Sequence, residues 1–227
     1  MTRLVPVLVL AFLCPLSRAQ AGSVRSQGSP PCSVTETSIF KEARIRGKMR
    51  DGGLTKADLT VDGLTVSEST LEDVEHQFPA AKRFRLTKDE EASVGLCVKD
   101  ERGTALVFAS GTSGGWKVLD SIYMAEASTF EKQGAKCSQV ASLPMGASTQ
   151  SGIQLGMEKE RVLALLGIAK SHGANFEVDY GTSPEKAPWL SANSRPSGEG
   201  WVAMRGAYGG FREGRLRWVV LYAGLSD

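Results

Sequence analysis

The stretch LVFASGTSGGWKVLD, residues 106–120, contains Gly111-Thr112-Ser113-Gly114-Gly115, which spells G-x-S-x-G. In that pattern a serine on a sharp strand-to-helix turn presents its hydroxyl as a nucleophile, and a histidine and an acid from later in the chain activate it. The flanking residues argue for something simpler. LVFAS and WKVLDSIYM both have the two-residue period of strands, so the glycines read as a hairpin turn between them. The chain has 2 histidines. His76 falls on the polar side of a helical stretch and His172 follows another in KSHGAN, and no spacing ties either to Ser113. A hydrolase using Ser113 is therefore the least favoured reading.

Other chemistry is sparser still. Asp100 and Glu101 in KDERG form an acidic pair at a turn, which reads as a solvated turn rather than as paired catalytic carboxylates. The cysteines stand apart from one another and from the histidines, without the spacing of a zinc site. No glycine-rich loop is followed by the lysine and helix that cradle a phosphate. No catalytic residue, metal or cofactor is expected.

The first residues speak of compartment. MTRLVPVLVLAFLCPLSRAQAGS has a basic start at Arg3, an apolar run from Leu4 to Leu16, and small residues at Ala19 and Ala21. This is the form of a secretory signal cleaved after Ala21, with a run shorter than the roughly 20 residues that span a bilayer. Cys14 follows Leu13 rather than a small residue, so lipid attachment is not expected. The expected destination is the periplasm or the medium, with no integral membrane segment in the mature chain. The full chain has 27 basic and 25 acidic residues, and Arg3 and Arg18 leave with the signal. The balanced remainder offers no electrostatic reason to bind nucleic acid. In an oxidising compartment two of Cys32, Cys97 and Cys137 should pair. Cys97 and Cys137 flank one apolar segment and are the expected disulfide, with Cys32 free, capped or bonded to another molecule.

The elements that would position any site come in two sets. DGLTVSESTLEDVEHQFPAAK (62–82) matches SGIQLGMEKERVLALLGIAK (151–170) after a single-residue gap. Gly63 and Gly152 each begin an alternating piece, Leu64/Val66 and Ile153/Leu155, and a helix should follow. In the first copy Ser69 with Glu72 spells a capping box, Leu71, Val74 and Phe78 share a face, and Pro79 stops the helix. In the second, Val162, Leu165 and Leu166 form the stripe and Gly167 ends it. Strand-like runs follow each helix: ASVGLCVKD, TALVFAS and WKVLDSIYMA in the first, NFEVDYG, WVAMRGAYGG and RLRWVVLYAG in the second.

The expected fold is α+β, two tandem repeats, each a helix or helix pair packed on an antiparallel sheet of about four strands. The expected organisation is a signal peptide (1–21), a flexible N-terminal segment (22–42), repeat 1 (43–137), a linker (138–151) and repeat 2 (152–227).

LGMEKERVLALLGIA resembles the signature G-M-[ST]-x-x-x-V-x-x-L-L-G-x-P, with Glu158 at the hydroxyl position and Ala169 at the proline. Exported bacterial proteins of the SmpA/OmlA lipoprotein family and of the β-lactamase inhibitory protein family carry it, and the tandem arrangement is closer to the second. That resemblance implies a non-enzymatic exported protein-binding module, an inhibitor of a secreted hydrolase. Its alternative is an envelope scaffold assisting outer-membrane protein assembly.

A helix covers one face of a sheet and leaves the other available, where aromatic residues are the usual anchors. The candidates on or beside predicted strands are Trp116, Trp201, Tyr208, Phe211, Trp218 and Tyr222, each of which could instead belong to the core. Trp189, in the polar stretch SPEKAPWLSANSRPSG, either folds back over a sheet or is a contact residue.

Overall fold

The computed structural model describes residues 53–86, 93–111, 115, 117–132, 134–141, 143, 147–168, 173–182, 186–187 and 202–226. They form a mixed α and β fold dominated by antiparallel strands. A 3-10 turn, Lys56–Leu59, leads into a small hairpin of β1 (Thr60–Val61) and β2 (Leu64–Thr65). Helix α1 (Leu71–Gln77) precedes β3 (Arg83–Arg85), β4 (Val94–Lys99), β5 (Thr104–Ser110) and β6 (Ser121–Glu126). Helix α2 (Ala127–Glu131), β7 (Ser138–Gln139) and helix α3 (Lys159–Leu165) follow, then β8 (Asn175–Thr182), β9 (Val202–Arg212) and β10 (Arg215–Ser226).

One sheet runs through the molecule in the order β3-β4-β5-β6-β10-β9-β8. Neighbours on this path are all antiparallel, and β7 adds to β4 in parallel. The strands predicted before and after the second helical stretch thus belong to a single sheet, joined where β10 pairs with β6.

Turn chemistry explains the tight connections. Asp62 (φ 52) with Gly63 (φ 81), and Glu213 (φ 56) with Gly214 (φ 71), occupy the positive-φ pairs that two-residue hairpins require. Between β4 and β5, Asp100 is 5% exposed, and its Oδ1 accepts hydrogen bonds from the N–H groups of Arg102 (2.9 Å) and Thr104 (2.8 Å). This acid is a turn former held inside, not a solvated one.

The two seven-residue helices lie on one side of the sheet. Leu71, Val74 and Phe78 of the α1 region and Val162, Leu163 and Leu166 of the α3 region share one core with Leu106, Phe108, Ile122, Val219 and Leu221. Phe78 stacks on Phe108 with ring centroids 5.9 Å apart. Each such side chain withdrawn from water contributes about 1.5–3 kcal/mol. The α3 stripe differs from expectation in one place: Leu163 is buried, and Leu165 packs only partly against the core.

The α1 cap is displaced by one residue from Ser69/Glu72. Thr70 Oγ1 accepts from Asp73 N–H (3.1 Å), and Asp73 Oδ2 accepts from Thr70 N–H (2.7 Å). The cause is tertiary. Leu71 N–H donates to the Lys117 carbonyl (2.9 Å) and Thr70 forms a bridge with Val118, which holds Thr70 extended. Ser69 Oγ is engaged by Thr65 N–H (3.0 Å) instead.

The described part of 138–151 is built into the fold rather than tethering two halves. Ser138 and Gln139 line the β4 edge, and Leu143 and Ala147 enter the core. Thr149 bridges Val61 of the first hairpin.

Candidate protein-binding face

Period-two alternation sends every second side chain of the sheet away from α1 and α3. Register then fixes three neighbouring rows on that opposite face. Trp218 of β10 lies between Gly210 and Ala125, Val220 between Tyr208 and Tyr123, and Tyr222 between Gly206 and Ser121. On β8, Glu177 is opposite Tyr208 and Asp179 opposite Gly206.

Over the first half of the sheet this face is covered by the chain itself. The segment from α2 to Cys137 crosses it, burying Phe130 and Ala135 with Cys97, Val107 and Tyr123 in a second apolar cluster. The Cys97–Cys137 disulfide fastens it, with 4.5 Å between Cα atoms, and an ion pair from Lys99 to Glu131 (2.7 Å) flanks it. The pairing expected from sequence is present.

Over the second half the face is aromatic. Tyr208 meets Trp218 edge-on, with centroids 5.8 Å apart and planes at 74°. It meets Tyr222 at the same 5.8 Å separation with a 57° tilt. All three rings are half-buried. Glycines give them room. A Cβ on Gly210 would lie 2.3 Å from Trp218 Nε1, and one on Gly206 would lie 2.4 Å from Tyr222 Oη. The rings thus lie across bare backbone, and the Tyr222 hydroxyl donates to Asp179 Oδ1. Such restrained rings lose little conformational entropy on meeting a partner, which suits them to recognition.

Of the aromatic residues singled out from sequence, Tyr208, Trp218 and Tyr222 come together here. Phe211 does not share this face: it is 7% exposed in the helix-side core, tilted on Phe176 at 5.4 Å with Lys159 Nζ 5.8 Å above its ring. Trp116, Trp189 and Trp201 lie outside the described residues, as do Ser113, His172 and Cys32. Around Ser113 the flanking elements are β5 and β6, paired antiparallel, so the next described element is a strand where a nucleophile elbow needs a helix. At the base of that connection Asp120 Oδ2 accepts from Gly111 N–H (2.6 Å) and its Oδ1 from the Ser121 hydroxyl (2.8 Å). His76 is exposed in the last turn of α1.

Glu177, Asp179, Tyr123 and Phe130 were not singled out by sequence reading. The β8 alternation of Phe176 and Val178 with Glu177 and Asp179 was the available signal for the two acids. Phe130 had none, because a five-residue helix is too short to show a period.

On the helix side, burial pushes the Arg205 guanidinium below its ordinary value, and it packs 5.4 Å from the Tyr180 ring. Among the described residues, no group of three or more His, Cys, Asp or Glu side chains gathers to hold a metal, and no helix is long and apolar enough to cross a membrane. The chain matches no family model, no curated protein and no solved structure.

Proposed function

We propose that this chain is an exported, non-enzymatic protein-binding module that inhibits a secreted hydrolase, docking through the aromatic half of the sheet face opposite its two longer helices. The observation that carries this reading is the Tyr208–Trp218–Tyr222 cluster, held rigidly over Gly206 and Gly210. Large rings with few rotamers, partly exposed and backed by a stiff sheet, are what binding hot spots are made of.

The proposal includes descent from a duplicated helix-on-sheet unit, as the resemblance to the β-lactamase inhibitory protein family implies. Support comes from two matching sets of backbone hydrogen bonds. Ser67 N–H donates to Leu119 O (2.7 Å), Leu119 N–H to Ser69 O (2.8 Å) and Leu71 N–H to Lys117 O (2.9 Å). Gly156 N–H donates to Leu216 O (2.8 Å), Leu216 N–H to Met157 O (2.9 Å) and Lys159 N–H to Gly214 O (2.9 Å). Each set ties the entry of one helix to the start of the last strand of its own unit, β6 or β10. Ser67 (φ 68) and Gly156 (φ 79) even share the left-handed backbone that begins each set.

The test is crosslinking in the native envelope followed by mass spectrometry, with the intact chain and with Trp218→Ala and Tyr208→Ala. Recovery of a soluble hydrolase, lost in both variants while the fold is retained, supports inhibition. Recovery of barrel-assembly components in its place overturns it in favour of an envelope scaffold.

A further inference from the structure

We propose that the Cys97–Cys137 disulfide is a redox latch: a dithiol opens it at Cys137, the segment from α2 to Cys137 lifts, and the docking face grows from β8–β10 onto β4–β6. The use of the enlarged face rests on the docking role proposed above. The opening itself rests on how the segment is held.

That segment is attached at its two ends and lightly between them. At its start Ala127 N–H donates to Gly103 O (2.7 Å), and just past its end Val140 N–H donates to Lys99 O (3.0 Å). Between these points its backbone bonds close on itself, from Lys132 N–H to Ser128 O (3.3 Å), Gly134 N–H to Glu131 O (3.0 Å) and Ala135 N–H to Phe130 O (3.2 Å). It can therefore move as a unit without breaking the sheet. Ser128, Glu131, Lys132, Gly134 and Lys136 are exposed, and Ala127, Phe130 and Ala135 supply its buried contacts. The Lys99–Glu131 pair is partly exposed and contributes little. A short element with few buried side chains belongs to the low-stability end of a fold, so the covalent bond is its principal restraint.

The two sulfurs differ in access. Cys97 is 0% exposed, whereas Cys137 is half-buried beside the exposed cation Lys136, which draws an anionic thiolate. A thiolate of the dithiol bonds to Cys137 Sγ, the S–S bond breaks, and Cys97 leaves as a thiolate that takes up a proton. The second thiol of the reductant then bonds to its first sulfur and frees Cys137 as a thiol. Two electrons pass to the protein, and the dithiol ends as a disulfide.

What lies beneath the segment joins the docking rings. Phe130 and Ala135 share one apolar cluster with Cys97, Val107, Tyr123 and Val220, and Tyr208 and Trp218 pack against that same cluster. Lifting Phe130 leaves Val107 and Tyr123 open to a partner in the same row as Val220 and Tyr208, so the apolar face becomes continuous from β4 to β9. Oxidising surroundings keep the latch shut.

Hydrogen exchange of the intact chain, read by mass spectrometry with and without dithiothreitol, tests this. Amides from Ala127 to Cys137 are expected to exchange at least about 10-fold faster once the bond is cut, while β9 and β10 change less than about twofold. Cys97→Ala with Cys137→Ala should reproduce the opening without reductant. Brief exposure to glutathione, quenched by acid and mapped by peptide, should place the mixed disulfide on Cys137 at least about 10 times as often as on Cys97. A mixed disulfide chiefly on Cys97, or segment amides unchanged by reduction, would overturn the latch. So would loss of protection in all strands together, which would make the bond a support of the whole fold. None of these readings involves a partner, so a face that captures no hydrolase while the latch opens counts against the docking role alone.

Discussion

Cys137 is bonded to Cys97 from across the sheet face that α1 and α3 leave uncovered, so the segment beginning at α2 is pinned over β4, β5 and β6. The bond spans a sequence separation of 40, worth about 4 kcal/mol in the chain-entropy account. Replacing both cysteines by alanine is expected to lower stability by about 2–4 kcal/mol in chemical denaturation. Because one core joins Leu54 to Ala223, probes in β4–β6 and in β8–β10 should report a single transition. Two separate midpoints would mean that the halves unfold independently.

The glycines under the aromatic rings admit a sharper test. In Gly210→Ala the new methyl would meet Trp218 Nε1 at 2.3 Å and Asn175 Oδ1 at 2.7 Å, so the indole must move off the strand. The expected outcome is a changed tryptophan near-ultraviolet dichroism signal and a stability loss of about 1–3 kcal/mol. Gly214→Ala meets nothing within 4 Å and is strained only by its φ of +71°, so it should leave the Trp218 signal unchanged. Equal spectra for wild type and Gly210→Ala would show that the ring is not held where described.

The α1 cap predicts an acid dependence. The backbone hydrogen bond from Thr70, then that from its hydroxyl, holds the Asp73 carboxyl below its ordinary range. A carboxyl lowered in the folded state stabilises the fold at neutral pH, and that contribution is lost as pH falls through the lowered value. Carboxyl carbon NMR should therefore place the Asp73 midpoint below that of an unstructured aspartate. Thr70→Ala removes the hydroxyl but keeps the backbone N–H at position 70, so the midpoint should rise only part of the way towards the ordinary range. Loss of the hydroxyl that caps Asp73 N–H should cost about 1 kcal/mol at pH 7. An unmoved midpoint would deny the capping box its electrostatic role.

Export makes a prediction at the other end of the chain. The proposed export would leave Gly22 as the first residue, with Ala19 and Ala21 serving as the cleavage site. N-terminal sequencing of the protein recovered from the envelope checks this, and a chain still beginning at Met1, or lipidated at Cys14, would contradict it.

Much of the secondary structure was legible because its signals are local. Alternation marked β4, β5, β6, β8, β9 and β10, the 3.6-residue stripe marked α1 and α3, and Gly167 marked a helix end. The Cys97–Cys137 pair was also within reach, since both cysteines flank one apolar segment. Periodicity further requires Tyr208 and Phe211, three residues apart on one strand, to face opposite ways. Which of them enters the core is not written in β9. It follows from where α3 packs, and only the assembled sheet decides that.

The same holds for the joining of the halves. The β6–β10 pairing unites residues about a hundred positions apart through burial and backbone hydrogen bonding, for which neither strand carries a local mark. The cap on α1 moved from Ser69 to Thr70 because Lys117 and Val118, distant in sequence, hold the chain extended up to that residue. Local periods determined what each segment becomes. Long-range burial determined which face of it meets the core and which does not.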